Sequence, residues 1–179
     1  MGKINLPVLT IVAAVSLALL LLGQHFIFNQ HNLRGLEEKF ADVPGVAAAA
    51  VDSTPNGLSL TLELEKETEL REAYRKILNL AAEAGISFDA ISIRDDRGPI
   101  LSQTLYDIHY AIEEGIATGR FQLMADSVED ELAARGIDDY ELWVDSQFVY
   151  LEMNYGPEHL YQVFPRGDFQ LRGAPSRKG

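Results

Sequence analysis

Cysteine is absent from this chain. That removes disulfide staples, thiolate nucleophiles, cysteine-ligated zinc and iron–sulfur clusters from consideration. Basic residues are scarce as well. The 179 residues carry 15 Lys or Arg against 27 Asp or Glu, a formal charge of −12. Residues 29–165 are more acidic still, with 26 acids against 10 bases. A body of that sign repels phosphate backbones, which excludes nucleic-acid binding as its general function. Catalytic signatures are missing too. The chain has no Gly-x-Ser-x-Gly elbow, no glycine-rich phosphate loop, no His-Glu-x-x-His and no EF-hand calcium loop. No catalytic, cofactor-binding or metal-ligating residue is assigned from the sequence, and no cofactor is implied.

Charge is also absent from one long stretch, and there the absence is informative. From Ile4 to Asn32 no Asp, Glu, Lys or Arg occurs, and Leu6–Leu22 contains only Thr10 and Ser16 as mildly polar residues. As a helix, Leu6–Leu22 spans about 26 Å, and continuing through Phe26–Phe28 carries it past the roughly 30 Å hydrocarbon core of a bilayer. Pro7 stands near the start, where a helix tolerates a missing N–H. A cleaved signal peptide would have a shorter apolar core followed by a small-x-small site. Gly-Gln-His-Phe-Ile-Phe follows here instead, which favours an uncleaved anchor over residues 1–28, holding the bilayer through residues 6–28. Lys3 and the α-amine balance Arg34 and Lys39 across the span, so the charge rule barely orients it. The short N-terminal flank points to an N-terminus inside and a domain outside the cytoplasm.

The remainder reads as one α+β unit, a mixed or antiparallel sheet with helices on one face, in the order α-β-β-α-β and then α-α-β-β-β. Residues 29–97 form the first part. Leu33, Leu36 and Phe40 recur at helical spacing after Asn32, and Val43-Pro-Gly45 ends that helix. Val46–Val51 is a strand ending at Thr54-Pro-Asn-Gly57. Leu58, Leu60, Leu62 and Leu64 alternate with Ser59, Thr61, Glu63 and Glu65, the pattern of a half-buried strand. The period then changes: Leu70, Ala73, Tyr74, Ile77, Ala81 and Ala84 make a helical stripe closed by Gly85. Ile86–Ile93 is apolar on both faces and reads as an interior strand. Residues 98–166 form the second part. A helix begins near Ser102, with Gly115 and Gly119 bending or ending it. Phe121–Ala125 is open between strand and helix, and Ser127-Val-Glu-Asp130 resembles a capping box opening a further helix to Gly136. Tyr140–Val144, Gln147–Met153 and His159–Phe164 are three strands, the last two joined through Asn154-Tyr-Gly-Pro-Glu. Residues 167–179 are a loose tail whose Arg172, Arg177 and Lys178 are diluted by Gly, Pro and Ser, the composition of a solvated end.

His25 and His31 flank the apolar segment, while His109 and His159 fall beside a helical stripe and at a strand start, and nothing in their spacing gathers a metal site. Glu63, Glu65, Glu67 and Glu69 follow a strand edge, and Glu129, Asp130 and Glu131 suit the first turn of a helix. Asp95 and Asp96 between Arg94 and Arg97 form a charged loop after a buried strand, a common place for function that local Arg–Asp pairing explains equally well. Tyr140, Trp143, Phe148, Tyr150, Tyr155, Tyr161 and Phe164 are core filling by default, with a partner-docking sheet surface as the alternative.

Leu36-Glu-Glu-Lys, Val43-Pro-Gly-Val46 leading into a strand, a second strand after Gly57, the helix Leu70-Arg-Glu-Ala-Tyr-Arg-Lys-Ile-Leu and a strand from Phe88 together resemble the small ring-building domains of bacterial membrane-assembly proteins. Those include sporulation-channel, injectisome and flagellar base-ring components. The resemblance covers residues 36–93 and implies a role in protein assembly. Small metal-carrier domains share the Pro-Gly-Val lead-in but need paired cysteines. The expectation is a single-pass, membrane-anchored, non-enzymatic assembly or interaction module with a protein partner or self-association. The alternative is a membrane-tethered enzyme or ligand-sensing domain.

Overall fold

A computed structural model describes residues 35–167 apart from residues 56, 66 and 67. The anchor expected over residues 1–28 and the tail from residue 168 therefore lie outside the described residues, as do His25, His31 and Glu67. Among the described residues, no helix is long and apolar enough to cross a membrane. The fold is α+β. In chain order it consists of α1 (described over 35–41), β1 Val46–Thr54, β2 Gly57–Leu64, α2 Leu70–Glu83, β3 Ala90–Arg94, α3 Pro99–Thr118, α4 Phe121–Ala134, β4 Asp139–Val144, β5 Phe148–Tyr155 and β6 Glu158–Pro165.

The strands make two sheets, where the sequence reading expected one. The first has the order β1-β2-β3, antiparallel then parallel; the second is β4-β5-β6, antiparallel throughout. The leucine alternation in β2 buries Leu60 and Leu62 against Ile77 and Ala81 of α2 and against Phe40 of α1. Phe88 closes this core with its ring edge-on to Phe40 at 5.7 Å.

Several local expectations need correction. The strand after α2 starts at Ala90, not Ile86. Gly85 and Ile86 close the helix instead, with the Gly85 N–H donating to Ala82 O and the Ile86 N–H to Ala81 O, and the Asp89 N–H then donates to Leu58 O of β2. β3 is also an edge strand of its sheet, not an interior one. The next helix starts earlier than Ser102, because Pro99 at its first turn needs no N–H partner. Finally, Ser127 caps nothing. Gly119 ends α3 in the left-handed region at φ 72° and α4 starts directly at Phe121. The Ser127 hydroxyl lies mid-helix and donates back to Leu123 O at 2.9 Å. Gly115 does not break α3; it makes room for Met124 of α4, whose Cβ would lie 2.7 Å from any Cβ added there.

β5 is buried on both faces. Val149, Leu151 and Met153 pack with Leu160 and Phe164 under Ile108 and Ile112 of α3 and Val128 and Leu132 of α4. On the reverse face Phe148, Tyr150 and Tyr161 pack against Leu70 and Tyr74 of α2 and the flanks of Ile91 and Ile93. Helices and strands thus cover the second sheet from both sides, whereas helices on one face only had been expected. The Tyr74 ring meets Phe148 edge-on at 5.3 Å and Tyr150 at 6.1 Å, and burial pushes its hydroxyl up to about 12. α2 consequently serves both cores along one stripe.

The loop between β3 and α3 ties the two sheets together. The Arg97 Nε donates to both Asp95 carboxylate oxygens at 2.8 Å, and Asp95 Oδ2 also accepts the Tyr161 N–H of β6 at 3.2 Å. The His159 N–H donates to Asp96 O at 3.3 Å. The Asp95 side chain is 8% exposed, so its removal leaves a strand-edge N–H unpaired and the guanidinium with a long bond to Tyr161 O at 3.4 Å in place of its carboxylate. Asp95→Ala is expected to cost about 2–3 kcal/mol and Asp95→Asn less, measured by denaturant unfolding followed on Trp143, the single tryptophan. An Asp95→Ala variant as stable as the parent would show that the loop does not hold the sheets.

Candidate functional site

The second sheet's reverse face is only partly covered. β4 and β5 pair Glu141 with Glu152 and Trp143 with Tyr150. Strand alternation sends all four side chains away from α3 and α4. α2 covers Tyr150, but it begins at Leu70 and leaves the β4 margin open. The result is a concavity that opens to solvent, walled by Thr68, Glu69 and Arg71 on one side and by Glu141, Trp143 and Glu152 on the other.

Each wall is held in place locally. The Thr68 hydroxyl donates to Gly45 O at 3.1 Å, and its methyl lies where a Cβ on Gly45 (φ +90°) would come within 2.3 Å. Glu69 stands at the N-cap of α2, but its carboxylate accepts Arg71 Nη2 at 3.0 Å instead of capping. The Arg71 guanidinium lies 4.3 Å over the Trp143 ring, an arrangement in which the aromatic face attracts the cation. Trp143 remains 52% exposed.

Glu152 is the most perturbed carboxyl of the site. Burial first, then Glu141 directly opposite, push it up to about 7, with Asp139 adding to the effect and a hydrogen bond involving Asn154 opposing it. Behind it, the Tyr150 hydroxyl donates to Asp145 Oδ2 at 3.0 Å. Burial and that carboxylate raise the tyrosine. Burial alone would raise Asp145 as well, yet the N–H groups of Gln147 and Phe148, the Tyr150 hydroxyl and the Arg75 charge bring it below its ordinary value. The site therefore combines a carboxyl that exchanges its proton near neutrality, a second acid opposite it, and an exposed indole beside a guanidinium. Such a surface suits a cationic group with an apolar stem.

The residues weighed in the sequence reading scatter across the fold. His109 is exposed on α3 beside Tyr110 and Phe164, and His159 sits at the β6 edge with its ring against Tyr161. Glu63 pairs with Arg94 at 3.1 Å. Glu129, Asp130 and Glu131 lie within α4 and not in its first turn; Glu131 pairs with Arg135 at 2.8 Å. Among the described residues, no group of three or more His, Asp or Glu is arranged to hold a metal ion. The aromatic set divides: Phe148, Tyr150, Tyr161 and Phe164 are buried, whereas Trp143 and Tyr155 are exposed. Glu141 and Glu152 escaped the sequence reading. Their available signal was an acid set directly between apolar residues, Glu141 between Tyr140 and Leu142 and Glu152 between Leu151 and Met153.

No protein-family model matches the chain, and neither a curated protein nor a solved structure matches it significantly.

Glu152 gives the site a pH signature of definite sign. Below about pH 4.5 the carboxyl is protonated whether the chain is folded or not. As pH rises, the unfolded form ionises first and the folded form holds its proton until about 7, so stability falls across that window and levels off above it. Glu152→Gln is expected to remove this component and to stabilise the chain at pH 8, by on the order of 1 kcal/mol once solvent screening of a half-exposed group is allowed for. Urea unfolding of both proteins at pH 5 and pH 8 measures it. A difference between them that does not change with pH would reassign the proton to another group.

Proposed function

We propose that the chain is a membrane-anchored interaction module that takes part in assembling a protein complex and performs no chemistry of its own. In this reading residues 6–28 hold it in a bilayer, and the acidic α+β body stands outside the cytoplasm. The observation that carries the reading is the set of large apolar side chains left in solvent: Tyr106 (63% exposed) and Tyr110 (68%) on α3, Leu123 on α4 and Trp143 in the concavity. Tyr106 and Tyr110 are held ring to ring at 6.3 Å, and Tyr and Trp are the side chains on which binding energy concentrates at protein interfaces. The α-β-β-α-β order of the first half supports the likeness to ring-building domains, in which such a unit is an assembly element.

A second reading, a membrane-tethered enzyme or ligand sensor, draws support from Glu152, since a carboxyl poised near neutrality beside another acid is also how general acids are prepared. The two readings separate experimentally. Photo-crosslinkers placed at positions 106, 123 and 143 of the full chain in its native membranes are expected to give discrete protein adducts from at least one position. Absence of adducts from all three, together with a monomeric chain in detergent, would overturn the interaction module and leave the second reading.

A further inference from the structure

We propose that the outer edge of β4 is the docking site for an extended segment of a partner protein bearing alternate Lys or Arg residues, which joins the second sheet as a fourth strand. This inference rests on the interaction-module reading and names its surface and its partner chemistry.

Backbone geometry supplies the first half of the case. The Asp145 N–H donates to Phe148 O at 3.0 Å, which sets the phase of the β4–β5 ladder. Asp139, Glu141 and Trp143 bond inward to β5, and Tyr140, Leu142 and Val144 turn their N–H and C=O groups outward. Among the described residues, none of those outward groups has a hydrogen-bond partner. The other edges differ. On β1 the Val51 N–H donates to Glu37 Oε1 at 2.9 Å. On β6 the 95–97 loop binds His159 and Tyr161, and β3 runs directly into that loop. β4 also lacks two of the usual edge protections, since it contains no proline and pairs with β5 without a bulge, and its guard is the charge of Asp139 and Glu141.

Charge and shape select the partner. Glu141 lies on β4 itself, Glu152 beside it on β5 and Glu69 across the concavity, with Arg71 the one cation lining it among the described residues. A second copy of the chain is a poor occupant, because a two-fold pairing centred on Glu141 sets like charges face to face. A basic strand meets the opposite situation. Its side chains alternate between the two faces, so those on one side fall over Glu141 and Trp143 while those on the other extend the row of Tyr140, Leu142 and Val144. The matching segment alternates basic with apolar residues, and the added main-chain ladder supplies affinity in the manner of other strand-addition complexes.

The test uses the full chain in detergent and an alternating Lys-Val peptide long enough to span the six residues of β4. Binding is read from Trp143 emission and from anisotropy of the labelled peptide. The peptide is expected to bind, an alternating Glu-Val peptide not to bind, and Glu141→Lys to weaken binding about tenfold. Methylating the peptide amides that face β4 is expected to weaken it at least as much, without any change to the protein. Equal affinity for the methylated peptide would overturn strand addition in favour of charge attraction alone. Peptide binding only after truncation at Gly167 would assign the edge to the chain's own basic tail and overturn the proposal. Self-association lost with Glu141→Lys would assign it to a second copy with the same consequence. Crosslinks from position 106 or 123 with no peptide binding would overturn this inference and leave the interaction module standing.

Discussion

The structure depends on covering the second face of β5. An antiparallel sheet in a small α+β unit commonly leaves one face to water. Here Phe148, Tyr150 and Tyr161 make that face apolar, and each such side chain loses about 1.5–3 kcal/mol if left exposed. α2 solves the problem by serving two sheets along a single stripe. Ile77 and Ala81, nearer its C-terminus, enter the first core, while Leu70 and Tyr74, nearer its N-terminus, cover β5. Neither half of the chain therefore completes its own burial. The Asp95–Arg97 loop then fixes how the two sheets meet, by giving the edge N–H of Tyr161 a carboxylate partner.

The candidate site follows from the length of that cover. α2 has 14 residues and starts at Leu70, so it shields Tyr150 and stops short of Glu141 and Trp143. Past its end the same sheet face changes from buried aromatics to acids. Glu152 sits at that boundary, half withdrawn from water and facing Glu141. Desolvation and like-charge repulsion act there in the same direction, so Glu152 keeps its proton toward neutrality.

What the sequence made legible was whatever a local period encodes. The Leu58–Leu64 alternation and the Leu70–Ala81 stripe appear as β2 and α2 with their expected faces. The features that misled were decided at a distance or by competition. Ile86–Asp89 has strand-like composition, but the Ile86 N–H turns back to Ala81 O of α2 and the chain reaches β2 only at Asp89, whose N–H donates to Leu58 O. Ser127 has the spacing of a cap, yet Gly119 has already turned the chain and α4 is under way. Two sheets instead of one could not be read from periodicity, because the division depends on which strand edges meet. The Asp95–Arg97 pairing is local and was visible, whereas the bond from Asp95 to Tyr161 joins residues 66 positions apart. Glu141 and Glu152 come from different strands, and only the β4–β5 register sets them face to face.

A cross-strand pair of acids costs stability, and its place beside Trp143 and Tyr150 on one sheet face calls for a physical reason. Replacing Glu141 and Glu152 by apolar residues would extend the surface of Trp143 and Tyr150 to an edge whose outward N–H and C=O groups lack partners among the described residues. That combination invites pairing between identical chains. The effect would be strongest for a protein confined to a bilayer, where its copies share two dimensions. Negative charge at the edge opposes such pairing because every copy carries the same sign. On the proposed reading the same charge admits a basic strand. The exclusion of copies and the choice of partner then arise from one electrostatic feature, and the stability it costs is the counterpart of that selectivity.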